Sequence, residues 1–139
     1  MAATIADDTY FAFGSNGTPT TEVDRSTSFN NLSMPREMAE VDVTAFGNSG
    51  NTTFIAGAKG GTISGDGFWD ATINTHITGI FDGQDVVEWE YGPLGNTGGN
   101  PKFSGSAFVT SYEVTNPVNE ANAFTITFRI TTAVTTGTF

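Results

Sequence analysis

The chain has no cysteine, which excludes disulfides, thiolate metal sites and cysteine nucleophiles. Leucine occurs twice, lysine twice and glutamine once in 139 residues. These straight-chain residues favour helices, so their scarcity excludes a helical bundle and makes a mainly β domain the default. Basic residues are also few: Arg25, Arg36, Lys59, Lys102 and Arg129, scattered along the chain. Nucleic acids and anionic membranes are gripped by clustered Lys and Arg. An adhesive nucleic-acid binder is therefore excluded, and no membrane binding by this chain is expected. No stretch approaches the ~18 consecutive apolar residues of a spanning helix. Residues 1–8 are acidic and lack the apolar run of a secretory signal, so synthesis in the cytoplasm is expected.

What is present points the same way. Thr (23), Gly (17), Asn (11) and Ser (9) make up 60 of the 139 residues, and 15 acidic residues against 5 basic ones give a net charge of −10. The length fits one domain, residues 1–139, able to hide roughly 68–70% of its unfolded surface. Thr9–Phe13 reads as a short apolar strand, ended by the turn residues of 14–19. Residues 20–38 are polar and mixed, and Met34-Pro35-Arg36 argues against a helix through that point. In Glu40–Phe46, Val41, Val43 and Ala45 share one face of a strand, and Glu40, Asp42 and Thr44 share the other. Phe54–Gly57 reads as an apolar turn. Thr62–Asp70 is a strand with Ile63, Gly65, Gly67 and Trp69 on one face, Phe68 and Trp69 covering its glycines.

Asp70–Asp82 is the one helix candidate. Asp70 or Thr72 caps it, Ile73, Ile77, Ile80 and Phe81 form its apolar stripe, and Gly83 ends it. Val86–Tyr91 alternates, with Val87, Trp89 and Tyr91 on one face and Val86, Glu88 and Glu90 on the other. Residues 92–101 form a Gly-rich, mobile loop. Phe103–Thr115 is a long strand with a bend or bulge near Gly105. Ala123–Ala133 is the last strand: Phe124, Ile126, Phe128 and Ile130 face the core, while Thr125, Thr127, Arg129 and Thr131 face outward. The architecture expected is a small β-sandwich or open barrel with one flanking helix.

Catalytic signals are weak. His76 is the single histidine, and no strained Gly-x-Ser-x-Gly turn supplies a nucleophile for it. Asp66, Asp70, Asp82 and Asp85 lie close in sequence, but no Ca²⁺-loop spacing joins them. An acidic-site hydrolase built on Asp66, Asp70 or His76 is the weakest reading. Residues 57–62 lack the spacing and following helix of a phosphate loop. Two Asn-x-Ser/Thr triplets, at Asn31 and Asn51, stand without a secretion signal. A carbohydrate- or ligand-binding β-sandwich using Trp69, Trp89 or Tyr91 is a distinct alternative. The outer face of the last strand has two readings: a solvated face inside a sheet, or a surface for assembly with neighbouring copies.

Three segments carry a resemblance. Val41-Asp42-Val43-Thr44-Ala45-Phe46-Gly47, Phe54-Ile55-Ala56-Gly57 and Gly61-Thr62-Ile63-Ser64-Gly65 resemble the core of the major tail tube proteins of long-tailed phages. The run from Phe103 to Glu113 resembles a later segment of the same family. Ala58 departs from the Leu usual at its position. The resemblance implies two packed antiparallel β-sheets with a flanking helix, closing a shared β-barrel in a hexameric ring. It implies a structural, non-enzymatic subunit without cofactor or metal, in a virion tail or tail-like particle. Its implied partners are further copies of itself, a tape-measure protein, tail-tip or terminator proteins, and double-stranded DNA passing without specific binding. Thr125, Thr127, Arg129, Thr131, Glu88 and Glu90 then become candidates for the lumen or a subunit interface. Asn48, Asn51, Gly95, Asn96 and Gly98 become candidates for contacts between rings.

Overall fold

A computed structural model describes residues 8–47 and 50–139. Nine strands run in chain order: β1 (Tyr10–Ser15), β2 (Thr18–Asp24), β3 (Phe29–Ser33), β4 (Arg36–Asp42), β5 (Phe54–Phe68), β6 (Val87–Gly92), β7 (Pro101–Thr115), β8 (Ala123–Ile130) and β9 (Thr135–Thr138). One helix, α1 (Ala71–Asp82), joins β5 to β6, and a 3-10 turn (Ser26–Ser28) joins β2 to β3. All pairings are antiparallel, in the order β2-β1-β6-β7-β8-β5-β3, with β4 added on β5 and β9 on β7.

The sheet curls into an open barrel. Strands β1 and β8 stand three steps apart, about 14 Å if the sheet were flat, yet the Phe13 and Phe128 rings lie 5.2 Å apart. Strands β1 and β3 stand five steps apart, about 24 Å flat, and the Phe11 and Phe29 rings also meet at 5.2 Å. Side chains therefore close a seam that no strand pairing closes. The 3-10 turn straps that seam: the Arg25 N–H donates to the Phe11 carbonyl at 2.9 Å, and the Phe11 N–H to Ser26 Oγ at 2.9 Å.

The core is the inside of this curl. Phe11, Phe13, Ile63, Val87, Trp89, Phe124, Ile126 and Phe128 fill it from the sheet. The helix presses Ile73, Ile77 and Ile80 into it, as the stripe predicts. Asp70 caps the helix, accepting the Ile73 N–H at 2.9 Å, and Gly83 is its C-cap. Phe81 differs from expectation and is exposed, while His76 is buried in its place.

Other expectations change. Residues 20–38 hold most of β2, all of β3 and the start of β4; they are mostly polar, and the apolar Phe29 and Leu32 that pack on the core stand three apart and so leave no alternation. Strand β4 ends at Asp42, so Val43–Phe46 lie beyond it. Phe54–Gly57 is not a turn but the opening of the 15-residue β5. Gly65 and Gly67 are covered by β3 and the turn before it, not by Phe68 or Trp69. A Cβ at Gly65 would sit 2.7 Å from the Phe29 ring, and one at Gly67 would overlap the Ser28 carbonyl. The β7 bulge lies between Val109 and Ser111, away from Gly105, which pairs regularly with Trp89.

Candidate assembly surface

Val41, Val43 and Ala45, which alternation places on one face, are all exposed. No residue of β4 is buried, and β5 buries nothing before Gly61. Together they form an arm that extends from the barrel. Val41 (43% exposed) pairs with Ile55 (53%), and Phe54 and Phe46 are exposed near the tip. Met38 is half-exposed nearer the base. Isolated apolar residues on a surface are ordinary, but here they gather along one arm, Val41 and Ile55 on one face and Phe54 on the other, as at protein–protein contacts.

The tip is preformed. Asp42 Oδ1 accepts the Thr44 N–H at 2.9 Å, Thr44 Oγ1 accepts the Thr53 N–H at 2.8 Å, and the Val43 N–H donates to the Thr53 carbonyl at 2.8 Å. Thr44's bonds also hold the Asp42 carboxyl below its usual pKa. Asn51 is exposed in this loop. Asn48 lies outside the described residues. Reading the residues in short windows missed Met38, Phe54 and Ile55. The available signal was the absence of any Pro or Asn break between Phe54 and Thr62.

The second surface is the convex face of the sheet. Strand β8 lies between β5 and β7, so it is not an edge. Its outward residues face partners of matching character. Thr125 Oγ1 donates to Asp66 Oδ1 at 2.8 Å, Thr127 stands opposite Ser64 and Ser111, and Arg129 stands opposite Thr62 and Phe108. Glu88 and Glu90 share this face from β6, opposite Ser106 and Ser104. Glu90 meets Lys102 Nζ at 3.4 Å. Thr131 lies past the end of β8, its N–H on the Ser106 carbonyl at 2.9 Å. The face is thus a field of hydroxyls and carboxylates with few cations.

The Gly-rich loop is tethered rather than loose. The Gly99 N–H donates to the Phe139 carbonyl, the Phe139 N–H to the Asn100 carbonyl, and Asn100 Nδ2 to the Leu94 carbonyl, all within 3.1 Å. Gly95 is buried with φ +97°, so it serves the turn and does not itself offer a contact; Asn96 and Gly98 are exposed.

The remaining chemistry resolves into structure. Asp70 caps α1, Asp66 binds Thr125 and Asn31, and Asp85 binds Asn16. Among the described residues, no group of three or more His, Asp or Glu converges as a metal site would. Both ring nitrogens of His76 are occupied: Nδ1 accepts from Arg25 Nε and Nε2 meets the Gly14 carbonyl, each at 2.8 Å. Burial holds its pKa below the ordinary value. The ligand-binding alternative loses its platform. Trp89 is fully buried, Trp69 Nε1 donates to Tyr112 Oη at 3.0 Å, and Tyr91 stacks on Phe103.

Comparison with known proteins adds a family and a fold. The sequence profile of a phage tail tube protein family matches residues 11–136. No sequence among functionally characterised proteins matches the chain. Among solved structures, the tail of an empty gene transfer agent particle, refined with C6 symmetry, superposes with a TM-score of 0.79 at 17% identity, covering 96% of this chain and 98% of that one. The SPP1 tail tube gives 0.75 at 12% identity, over 97% of this chain and 79% of that one. The baseplate of the anti-feeding prophage gives 0.75 at 9% identity, over 99% and 97%.

Proposed function

This chain belongs to the phage tail tube protein family and is a structural subunit of a virion tail, and from that premise we propose that six copies close into a ring and that rings stack into the tube that conducts DNA to the host cell. The observation that carries the reading is the arm. Its apolar residues are exposed in the single chain, and burial against further copies removes them from water at roughly 25 cal/mol per Å². The chain acts by shape and surface, without catalysis or cofactor.

The convex hydroxyl and carboxylate face lines the lumen. Six copies at −10 each bring −60 to a ring. A wall poor in cations repels the phosphate backbone, so DNA slides without binding. A tape-measure protein occupies the lumen before DNA does, and tail-tip and terminator proteins cover the exposed ends of the stack. The arm tip around Asn51, with Asn48, and the 92–101 loop at Asn96 and Gly98 meet the neighbouring ring.

Negative-stain microscopy of the purified protein over a concentration series tests this. Six-fold rings and tubes are expected as concentration rises. A strict monomer at every concentration would overturn the reading.

A further inference from the structure

Charge on this molecule is oddly paired. With 15 carboxylates for 5 cations, most cations should find an acid within their own chain. Among the described residues Lys102–Glu90 is the one ion pair. Arg36 and Lys59 have none, although both are exposed. They lie on one side of the arm's base, where Arg36 pairs across the strands with Gly61 and Met38 with Lys59. With Glu37, Met38, Ile130 and Val134 they line a groove of about 620 Å³. Two cations against one carboxylate leave this partly apolar notch net positive on a strongly acidic molecule.

Its chemical complement exists elsewhere on the same chain. The corner where α1 passes into β6 carries Asp82 and Asp85 around a second cavity of about 530 Å³, lined also by Phe81 and Phe108. Phe81 is 44% exposed, and the neighbouring Val86 is 51% exposed. Asp82 has no partner among the described residues, and Asp85 is held by Asn16 Nδ2 at 2.7 Å, which leaves its other oxygen free.

The sheet register fixes where these patches stand. Val87, just past the acidic corner, pairs with Ala107, and Ala107 pairs with Ile130. The β5–β8 register, continued one step from Thr62–Arg129, sets Ile130 against Gly61, and Gly61 pairs with Arg36. The two patches therefore end one row of residues that crosses five strands. The patches do not satisfy each other within one chain: among the described residues no ion pair joins Arg36 or Lys59 to Asp82 or Asp85. They stand at the same level of the sheet, one on β4 and the other beside β6. A head-to-tail contact that closes into a ring needs two different, complementary patches placed in this way.

We propose that the Arg36–Lys59 groove of one subunit receives the Asp82–Asp85 corner of the next, and that this charge match sets the order and direction of the ring. The proposal rests on ring assembly but goes beyond it by naming the two surfaces. Opposed charge across such a contact gives specificity and fast encounter, and like charge placed there is strongly disfavoured.

Charge reversal tests the pairing. One variant carries Arg36→Glu with Lys59→Glu, the other Asp82→Lys with Asp85→Lys; circular dichroism and size-exclusion chromatography verify that each remains a folded monomer. Each alone is expected to raise the assembly threshold concentration roughly tenfold or more. Mixed in equal amounts, the two should form rings, because alternating subunits restore attraction at every contact and six is even. The four-fold substituted chain, with both patches reversed, should assemble by itself. Wild-type protein that never assembles would overturn the ring reading. Wild-type protein that assembles together with two freely assembling variants would overturn only this pairing. Two defective variants rescued neither by mixing nor in the four-fold chain would overturn it as well.

Discussion

Acidification from about pH 7.5 to 5.5 should weaken the fold through His76. Folding holds this ring neutral. Its Nδ1 accepts the Arg25 Nε–H and its Nε2–H donates to the Gly14 carbonyl, both at 2.8 Å. It also stacks on Phe13 with ring centroids 4.2 Å apart. A proton on Nδ1 would remove the acceptor and set two cations in contact. Two unit charges ~4 Å apart repel by about 4 kcal/mol at an effective dielectric of ~20. Burial is the main cause of the lowered pKa; the Gly14 bond partly opposes it, and the Arg25 charge adds to it. The unfolded chain takes up this proton near pH 6.5 and the folded chain does not. The unfolded state thus binds more protons, and stability rises with pH. The contribution is complete above about 6.5 and is lost as pH falls from there toward the lower folded pKa. The slope cannot exceed about 1.4 kcal/mol per pH unit for one site, so the loss down to pH 5.5 is up to about 1.4 kcal/mol. Urea unfolding of dilute monomer along this range measures it, with His76→Gln as the variant that cannot titrate. The difference in stability between wild type and variant should shrink as pH falls. Parallel pH curves for the two proteins would refute the reasoning.

Four further outcomes follow from single contacts. Gly67→Ala drives a methyl into the Ser28 carbonyl and lies 2.9 Å from Phe29 Cα, so it should cost about 1–3 kcal/mol in urea unfolding; Gly60→Ala, with open space at its Cβ, should stay within about 0.5 kcal/mol. Asp70→Ala removes the cap on the Ile73 N–H and should cost about 1 kcal/mol, read as a lower Tm. Val41→Lys with Ile55→Glu, which sets opposite charges across the pair, should leave monomer stability within about 1 kcal/mol yet abolish tubes in a sedimentation assay. Arg129→Glu should leave the monomer folded while impairing tube formation or DNA passage, and particles with normal tails and infectivity would count against a lumen role for that face.

The sequence carried the core better than the edges. A residue that alternates between water and a packed interior leaves a period, and Phe124-Ile126-Phe128 and Ile73-Ile77-Ile80 are read correctly for that reason. The helix cap was legible because Asp before an Ala-Thr-Ile start has a local job. Strands β2 and β3 left no such trace: the apolar residues of β2 are only Pro19 and Val23, and those of β3, Phe29 and Leu32, stand three apart across a bulge. Gly65 and Gly67 show the same limit: their glycines are needed because Phe29 and Ser28 approach from more than 35 residues away. The arm failed differently. Val41 and Val43 alternate as a buried strand would, yet both are exposed in the single chain, and in the proposed ring another copy would cover them. Alternation reports that a face seeks cover and is silent on who supplies it. His76 was placed on the helix, yet its neighbours come from β1 (Gly14) and from the link between β2 and the 3-10 turn (Arg25), which only the tertiary fold brings near.

The continuity of β5 explains how an exposed arm can be useful before assembly. An isolated two-stranded hairpin is marginal in water. Here β5 runs without interruption from the arm into the barrel, where Ile63, Gly65 and Gly67 face the core and β8 pairs with Thr62–Phe68. About seven residues of β5 project beyond that anchor, roughly 23 Å of extended chain. They inherit a fixed direction from the buried half, and Asp42, Thr44 and Thr53 tie the far end. A flexible arm would lose conformational entropy when it docks, at about 1–2 kcal/mol per residue ordered. A preformed arm has already met that cost during folding, so more of its apolar burial appears as binding free energy. The long strand is therefore one element with two roles: its second half anchors the monomer, and its first half holds out the rigid surface on which the proposed assembly rests.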